Sequence, residues 1–384
     1  MTDATALGGT RVLEFASYVS GPFAGMLLAD LGAEVIKVEN PEGGDPFRDW
    51  GRRDYNGTFG SMNRNKKSVT LDLKSPEGRE QARKLALTAD VLIENFRTGV
   101  MERLGLGFES LSAANPRLVY CSITGFGGDG PYKDRPGYDT VGQAMSGLLG
   151  VLTDRKAPQP MGVSLSDHLA GTFASYGVLA ALAARAKTGK GQKVETSLLQ
   201  ATLAFVGENA ATYFEDRNVP SRATRCQRAQ VFAFTAGDGL PFVVHLSSPP
   251  KFWQGLLRAT GQEALGFDER FSTRPSRVAN YDALHGIFDE LFKAGPRAYW
   301  LARLGAADVP SGPINSIEEV FDDPQVAALG LRVDLPHAGR GKVTVVGNPV
   351  KLGATPARMV TSAPELGADN EAILGAMDAP RPES

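Results

Sequence analysis

The sequence predicts an α/β protein with a mainly parallel sheet and a smaller α+β domain. Between residues 10 and 124, short apolar segments alternate with longer amphipathic ones, which is the order of repeated βαβ units. Around residue 220 this alternation gives way to a hairpin pattern and then to several helix patterns. A chain of 384 residues is also long enough for more than one domain. We therefore place the smaller domain at residues 220–315.

Each element of the alternating region follows from a local pattern. Strands are predicted at the apolar runs 10–16, 34–39, 68–73, 91–96 and 117–124, and helices at 21–32, 76–87 and 100–113. Ser75 followed by Pro76 supplies an N-cap and a first helical residue. Loops are predicted at 40–67, which is rich in glycine and arginine, and at 131–165, which contains four prolines that we count as loop signals, Pro131, Pro136, Pro158 and Pro160.

The rest of the chain yields a second set of predicted elements. An apolar helix is predicted over 169–187, a strand running into a helix over 194–205, and a hairpin over 230–246 around Asp238-Gly239. Further helices are predicted at 251–262, 280–293 and 296–304, a strand at 342–346, and a final helix near 371–376.

Composition excludes several functional classes. The chain is 42% hydrophobic and 22% charged, as in soluble globular proteins, and its formal charge of −2 disfavours nucleic acid as a partner. The two cysteines, Cys121 and Cys226, are too few for a disulfide framework, so we expect a reducing, cytoplasmic location. The four scattered histidines predict no metal site. The longest apolar run, Gly177–Ala184, is far shorter than the about 20 residues of a membrane span, so no membrane association is expected.

One glycine motif suggests a nucleotide. Gly125–Gly130 matches GxGxxG and follows a predicted strand. Dinucleotide binding requires a helix to begin at this point, with its N-terminus facing the pyrophosphate. Pro131 and Pro136 follow instead, so the motif favours a flexible turn over an NAD site.

A cationic segment joins two of the predicted strands. It contains Arg48, Arg52, Arg53, Arg64, Lys66 and Lys67. Such a cluster can neutralise the phosphates of a small molecule. The alternative is a solvated polar loop, and the residues alone leave both open.

Asp167 stands at the start of the predicted apolar helix, in VSLSDHLAG. An N-cap is the ordinary role for an aspartate in that position. His168 is adjacent, but neighbours in a helix point about 100° apart, so the two side chains need not share a site. No Ser-His-Asp or Cys-His pair can be assigned from the sequence.

Several segments together make the chain resemble one family. They are LGAEVIKVE (31–39), NRNKKSVTLDL (63–73), ADVLIENFRTGVMERLGL (89–106), GYDTVGQAMSGL (137–148), SDHLAG (166–171) and APELGADNEAIL (363–374). With these segments the sequence resembles the class III CoA-transferases, which include formyl-CoA transferase, carnitine CoA-transferases and, more distantly, α-methylacyl-CoA racemase. The resemblance runs over nearly the whole chain.

The resemblance implies an architecture and a substrate. It implies a large Rossmann-like CoA-binding domain built from 1–205 and from a C-terminal part, 325–384, that returns to it. It also implies a homodimer in which two subunits are interlinked. Coenzyme A or an acyl-CoA would be the substrate, with a carboxylic acid as the second substrate and no permanently bound cofactor.

The resemblance also assigns the catalytic carboxylate to Asp167. In this family the aspartate attacks the thioester carbonyl of the acyl-CoA, a mixed anhydride forms, and CoA thiolate leaves. The thiolate can then form an enzyme–CoA thioester. An aspartate with an ordinary pKa near 3.9 is already ionised at neutral pH, so the sequence predicts no need for a general base.

The expected CoA contacts are also carried over from the family. They are Lys37, Leu71, Asn95, Phe96 and Arg103, with Tyr138 near the thioester and Arg64 and Lys66 helping to bind phosphates. Core packing is the alternative role for Leu71 and Phe96. Asn95 stands at the end of a predicted strand and Arg103 at the start of a predicted helix, on the side where ligands of parallel sheets bind.

Tyr138 separates two activities of the family. Racemases have a histidine at this position, and tyrosine titrates near 10, too high for proton exchange at an α-carbon. CoA transfer is therefore favoured over racemisation, and a non-catalytic CoA-binding protein is a further alternative. Dicarboxylic acids, hydroxy acids and betaines all stay open as acceptors.

Overall fold

The computed structural model describes residues 5–50 and 56–375. The chain divides into two compact units. The first contains the described residues of Met1–Leu149, Pro160–Glu208 and Ala328–Ser384, and the second contains Gly150–Gln159 and Asn209–Ala327.

The described residues form short strands and mostly short helices. The strands are Arg11–Phe15 (β1), Glu34–Glu39 (β2), Lys66–Thr70 (β3), Val91–Glu94 (β4), Val119–Thr124 (β5), Lys193–Ser197 (β6), Val231–Thr235 (β7), Pro241–His245 (β8), Ser311–Pro313 (β9), Arg332–His337 (β10) and Gly341–Val346 (β11). The helices are Ser20–Asp30 (α1), Gly57–Asn63 (α2), Pro76–Thr88 (α3), Val100–Arg103 (α4), Phe108–Ala114 (α5), Asp139–Met145 (α6), Leu148–Leu152 (α7), Leu165–Thr188 (α8), Leu198–Phe205 (α9), Gly207–Asp216 (α10), Arg222–Ala229 (α11), Pro250–Thr260 (α12), Arg274–Ala279 (α13), Tyr281–Phe292 (α14), Arg297–Ala306 (α15), Ile317–Asp322 (α16), Pro324–Leu329 (α17) and Asn370–Leu374 (α18).

A six-stranded parallel sheet forms the centre of the first unit. Its strand order is β3-β2-β1-β4-β5-β6, so the predicted α/β class with a mainly parallel sheet is confirmed. The chain builds β1 to β3 in one direction and then returns to place β4 beside β1. This reversal is a topological switch point, and ligands of such sheets bind at the strand carboxyl ends beside it.

Both faces of this sheet are buried. Val12, Val35 and Val91 point to one side, where they pack with residues of α1 and α8. Their neighbours Leu13 and Leu92 point to the other side and pack with residues of α3 and α5. Strands covered on both faces need apolar residues at successive positions, which explains the continuous apolar runs in the sequence.

Helix α8 packs against α1 on one face of the parallel sheet. Its Ala170, Ala174, Val178 and Ala181 are buried in the core cluster. Among the described residues, α8 is the one helix that is long and apolar enough to cross a membrane. Core helices of soluble proteins also meet this criterion of length and composition. The helix begins at Leu165, earlier than predicted, so Asp167 lies in its first turn.

Two segments predicted to be loops contain regular structure. The range 40–67 includes α2, which begins because the Asn56 side chain accepts hydrogen bonds from the N–H groups of Thr58 (2.8 Å) and Phe59 (3.3 Å). The range 131–165 includes α6 and α7. Conversely, the helix predicted over 100–113 is interrupted at Gly105, whose φ of 74° is the left-handed conformation that ends a helix.

The second unit is built on a three-stranded antiparallel sheet of order β7-β8-β9. The predicted hairpin between β7 and β8 is confirmed, with Gly239 at positive φ in the turn. Its core is rich in aromatic side chains, with Phe232, Phe242 and Phe288 all essentially inaccessible to solvent.

The last described residues pack on the edge of the six-stranded sheet. The N–H of Asp369 donates to Ser68 O on β3 (3.0 Å), and the N–H of Thr70 donates to Asn370 Oδ1 (2.8 Å). The C-terminal part of the chain therefore belongs to the same unit as the N-terminal strands.

Candidate active site

A cavity of about 280 Å³ opens at the switch point of the parallel sheet, beyond the carboxyl ends of β1, β4 and β5. Loop residues after these strands provide most of its wall. The lining residues are Ser17, Tyr18, Ser20, Pro46, Asn95, Phe96, Arg97, Thr98, Ile123, Thr124, Gly125, Lys133, Arg135, Pro136, Gly137, Tyr138, Asp167 and Leu198. The cavity thus combines one carboxylate with three cationic side chains and two phenols.

Asp167 is not the N-cap of α8. The N-cap is Ser164, whose side chain makes no capping hydrogen bond. Asp139 supplies the missing acceptor, because its Oδ1 accepts from the N–H groups of Ser166 (2.8 Å) and Asp167 (3.2 Å). The Asp167 carboxylate therefore lines the cavity instead of capping the N-terminus of α8.

The close packing of α1 and α8 places Ser20 beside Asp167. Gly171 permits this approach, since a Cβ at that position would lie 2.6 Å from Ser20 O. The Ser20 hydroxyl lies close enough to the Asp167 carboxyl to lower its pKa. A side chain at Gly171 would push the two helices apart and separate these groups.

The pKa of Asp167 is raised from its ordinary value to about 7. Burial is the largest cause, since it disfavours the charged carboxylate, and the nearby Asp139 charge adds to it, while the hydrogen bond from Ser20 acts in the opposite direction. The expectation of an ordinary, fully ionised aspartate is therefore corrected. Near pH 7 the side chain is divided between its two protonation states.

Tyr138, Asn95 and Phe96 also line the cavity. The chain before Tyr138 is held by tight contact between two glycines, because a Cβ on Gly125 would lie 3.0 Å from Gly137 Cα. The Asn95 amide is fixed against the β1 loop, accepting from Ser17 N–H (3.0 Å) and donating to Ser17 O (2.8 Å). It therefore shapes the cavity wall.

The comparisons with known proteins decide the family. The model of CoA-transferase family III matches residues 7–370. The chain belongs to CoA-transferase family III.

Related members are similar over nearly their full length. A succinate–glutarate CoA-transferase from Agrobacterium fabrum is 38% identical, with 97% of this chain and 96% of the relative covered. A succinyl-CoA–D-citramalate CoA-transferase from Chloroflexus aurantiacus is 36% identical, with 96% and 93% covered. The crystal structure of a CaiB/BaiF family protein from Brucella suis superposes with a TM-score of 0.86 at 38% identity, covering 97% of this chain and 100% of that one.

Lys37 does not line the cavity of this family III CoA-transferase. Its ammonium is inaccessible to solvent and bonds Asp45 Oδ2 (2.9 Å), Glu14 Oε1 (3.1 Å) and Ala16 O (2.6 Å). Although burial alone would lower its pKa, Glu14 and Asp45 raise it to about 12. Its charge is enclosed by internal carboxylates, and the contact of Lys37 with CoA stays a prediction.

Arg64 and Lys66 are also held internally. Arg64 pairs with Asp30 (2.6 Å between Nη2 and Oδ2), and Lys66 pairs with Glu14 (2.8 Å between Nζ and Oε2). Both side chains are nearly fully buried. Both cations are therefore engaged in internal ion pairs, and their contacts with CoA phosphates stay predictions. Arg52 and Arg53 lie outside the described residues.

The remaining two predicted contacts lie outside the cavity wall. Leu71 is 4% exposed and packs in the core cluster on the α3 side of the sheet, which is the alternative role considered for it. Arg103 ends α4, is exposed to solvent and is not among the lining residues. It stays a predicted contact for a ligand that extends beyond the cavity.

Sequence reasoning missed five of the polar side chains that line the cavity: Tyr18, Ser20, Arg97, Lys133 and Arg135. Arg97 follows β4 directly, so its place at a strand carboxyl end was a usable signal. Lys133 and Arg135 belong to the loop after Gly125–Gly130, which turns without starting a helix until Asp139. Within the described ranges, no cluster of three or more histidine, cysteine or acidic side chains could hold a metal ion.

Proposed function

We propose that this protein transfers CoA from an acyl-CoA thioester to a free carboxylic acid, through covalent intermediates on Asp167. The observation that carries this proposal is the position of Asp167: a partly buried carboxylate in the cavity at the sheet's switch point. A protein that only binds CoA has no use for such a group beside the thioester. The CoA-transferase relatives support the same reaction class.

The proposed chemistry proceeds by two exchanges. The Asp167 carboxylate adds to the thioester carbonyl, the C–S bond breaks, and an aspartyl–acyl anhydride and CoA thiolate result. The thiolate attacks the aspartyl carbonyl, which releases the first acid and leaves CoA as a thioester on Asp167. The acceptor carboxylate then attacks this thioester, and the returning thiolate attacks the acceptor acyl carbon, which restores the carboxylate. The anhydride and thioester intermediates keep the transferred groups activated, which an ester on serine would not do.

The cavity cations fit ligands of high negative charge. Arg97, Lys133 and Arg135 are exposed at its wall and can pair with CoA phosphates or with the second carboxylate of a dicarboxylic acid. The Agrobacterium and Chloroflexus relatives are named for succinate, glutarate and citramalate, all dicarboxylates. We therefore propose succinyl-CoA as donor and a four- or five-carbon dicarboxylate as acceptor.

The proposal includes the architecture expected of the family. The first unit is a Rossmann-like domain, the second unit is a small α+β domain, and two chains form a homodimer. Support for the dimer comes from apolar side chains that α8 and α9 leave exposed: Phe173, Tyr176, Leu179, Leu203 and Phe205. An exposed apolar patch of this kind is typical of a protein interface.

A donor and acceptor panel tests the proposed function. The protein is incubated with succinyl-CoA or acetyl-CoA and with glutarate, malate, citramalate or carnitine, and new CoA esters are followed by mass spectrometry. We expect glutaryl-CoA or another dicarboxyl-CoA to form only when donor, acceptor and protein are all present. Exchange of the α-proton of a 2-methylacyl-CoA for deuterium, without any acyl exchange, would instead identify an isomerase.

The wall of the cavity favours transfer over isomerisation. No histidine lies among the lining residues in the part of the chain that the structure describes. His168 is turned away, with Nδ1 2.7 Å from Ser164 O and its ring packed on Phe23. Tyr138 thus has no neutral-pH acid–base partner other than Asp167 itself.

The raised pKa of Asp167 predicts a pH profile. Since only the carboxylate is nucleophilic, kcat/KM should rise with pH through about 7 and then level off. Asp139→Asn removes the negative charge that helps to raise this pKa but keeps an oxygen for the N–H groups of α8. The half-maximal pH of kcat/KM should therefore move to more acidic values. An unchanged or more alkaline midpoint would contradict Asp167 as the titrating nucleophile.

A further inference from the structure

Tyr18 has a backbone conformation that aromatic residues rarely adopt. Its φ is 65°, and it is the one aromatic residue with positive φ in the ranges 5–50 and 56–375. The left-handed region costs a residue with a Cβ roughly 1–2 kcal/mol. Such strain persists only where the surrounding structure imposes it, and it is concentrated at functional sites.

Two side chains, the buried Asp45 and the half-buried Asn95, hold this conformation. The N–H of Tyr18 donates to Asp45 Oδ1 (3.1 Å), and Asp45 is in turn fixed by the Lys37 ammonium (2.9 Å). The preceding residue, Ser17, is bonded on both its N–H and its carbonyl by Asn95. The ion pair between Lys37 and Asp45 therefore affects the cavity, because Asp45 holds the turn that contains Tyr18.

The strained turn directs the Tyr18 ring into the cavity that contains Asp167. The ring packs edge-on against Phe47 (5.4 Å between centroids) and against Tyr138 (6.2 Å). Burial, followed by the nearby Tyr138 and Asp45, raises the pKa of Tyr18 above its ordinary value. At neutral pH the Tyr18 hydroxyl is a proton-bearing hydrogen-bond donor.

We propose that Tyr18 is a further catalytic residue, whose hydroxyl donates a hydrogen bond to the thioester carbonyl oxygen as Asp167 adds to the carbonyl carbon. This role rests on the proposed function. The negative charge of the Asp167 carboxylate passes to the carbonyl oxygen when the new C–O bond forms, and no proton is transferred. When the C–S bond breaks, the charge leaves with the CoA thiolate.

Burial favours Tyr18 over Tyr138 for this role. Tyr138 is 64% exposed, so water competes for its hydrogen bonds, whereas Tyr18 is only partly exposed. A donor fixed in a less polar environment stabilises a developing oxyanion more strongly and needs no reorientation during the reaction.

Tyr18→Phe tests the proposal because it keeps the ring and removes only the hydroxyl. We expect kcat for CoA transfer to fall about 100–1,000-fold, as for other single oxyanion donors. The KM for acyl-CoA and the Kd for free CoA should stay within about threefold, and Tm should be unchanged, because neither the backbone anchors nor the CoA contacts are altered. Tyr120→Phe is the matched control, since its buried hydroxyl has no hydrogen-bond partner among the described residues and lies outside the cavity wall.

The outcomes separate this proposal from the proposed function. If the wild-type protein exchanges CoA and Asp167→Ala does not, but Tyr18→Phe keeps kcat within twofold of wild type, Tyr18 has no catalytic role. A parallel fall in kcat and Tm would likewise overturn it, because the hydroxyl would then be structural. If the wild-type protein exchanges no acyl group with any donor, the proposed function itself fails, and the role of Tyr18 fails with it.

Discussion

Asp167→Ala is expected to lower kcat for CoA transfer by at least about 10⁴-fold, because no other group in the cavity can form an acyl anhydride. Binding of free CoA should change little, since the cationic side chains remain in place. The variant should also be at least as stable as wild type, because it removes a buried carboxyl held near Asp139. Steady-state kinetics, CoA titration calorimetry and thermal melting measure the three quantities.

Asp282→Ala is a suitable control for that substitution. Asp282 also lies in the first turn of a helix, α14, but it is exposed and belongs to the second unit. It should keep wild-type kcat. If Asp167→Ala retained more than a few per cent of wild-type kcat, a different nucleophile would be required.

Lys37→Met is expected to lower the free energy of unfolding by about 3–5 kcal/mol. The ammonium lies between Glu14 and Asp45, and both carboxylates are essentially inaccessible to solvent. Removing the cation leaves Asp45 buried without its ion-pair partner, and Lys66 alone then neutralises Glu14. Since Asp45 holds the Tyr18 turn, kcat should fall as well.

Lys67→Met provides the comparison for an exposed ion pair. Lys67 pairs with Glu34, and both side chains are substantially accessible, at 47% and 32%. Such a pair contributes about 0–1 kcal/mol. If Lys37→Met matched this control in stability and raised only the KM for acyl-CoA, Lys37 would contact the substrate after all.

Local patterns were sufficient to predict most of the sheet and its helices. Apolar runs predicted strands β1, β2, β4 and β5. Each of these strands is buried on both faces and therefore needs apolar residues at successive positions. Short elements such as α6 and α7 were missed. Their few residues stand between prolines and glycines, and their packing depends on distant parts of the chain.

The ionic partners of the candidate site were not predictable from sequence. Lys37, Arg64 and Lys66 were predicted to contact CoA, yet each meets a carboxylate from another strand or helix. The pairing of Lys66 with Glu14 joins residues 52 positions apart, a relation set by tertiary structure. Burial is likewise the largest cause of the raised pKa of Asp167, and this burial cannot be predicted from the local sequence pattern.

The most direct test of the account is to trap the covalent intermediate. The protein is incubated with succinyl-CoA, treated with hydroxylamine, digested, and analysed by mass spectrometry. The account predicts a hydroxamate on Asp167 in wild type and none when donor is omitted, because both the anhydride and the enzyme–CoA thioester react with hydroxylamine at that carbonyl. A hydroxamate on another residue, or none under conditions where dicarboxyl-CoA is being formed, would contradict Asp167 as the nucleophile.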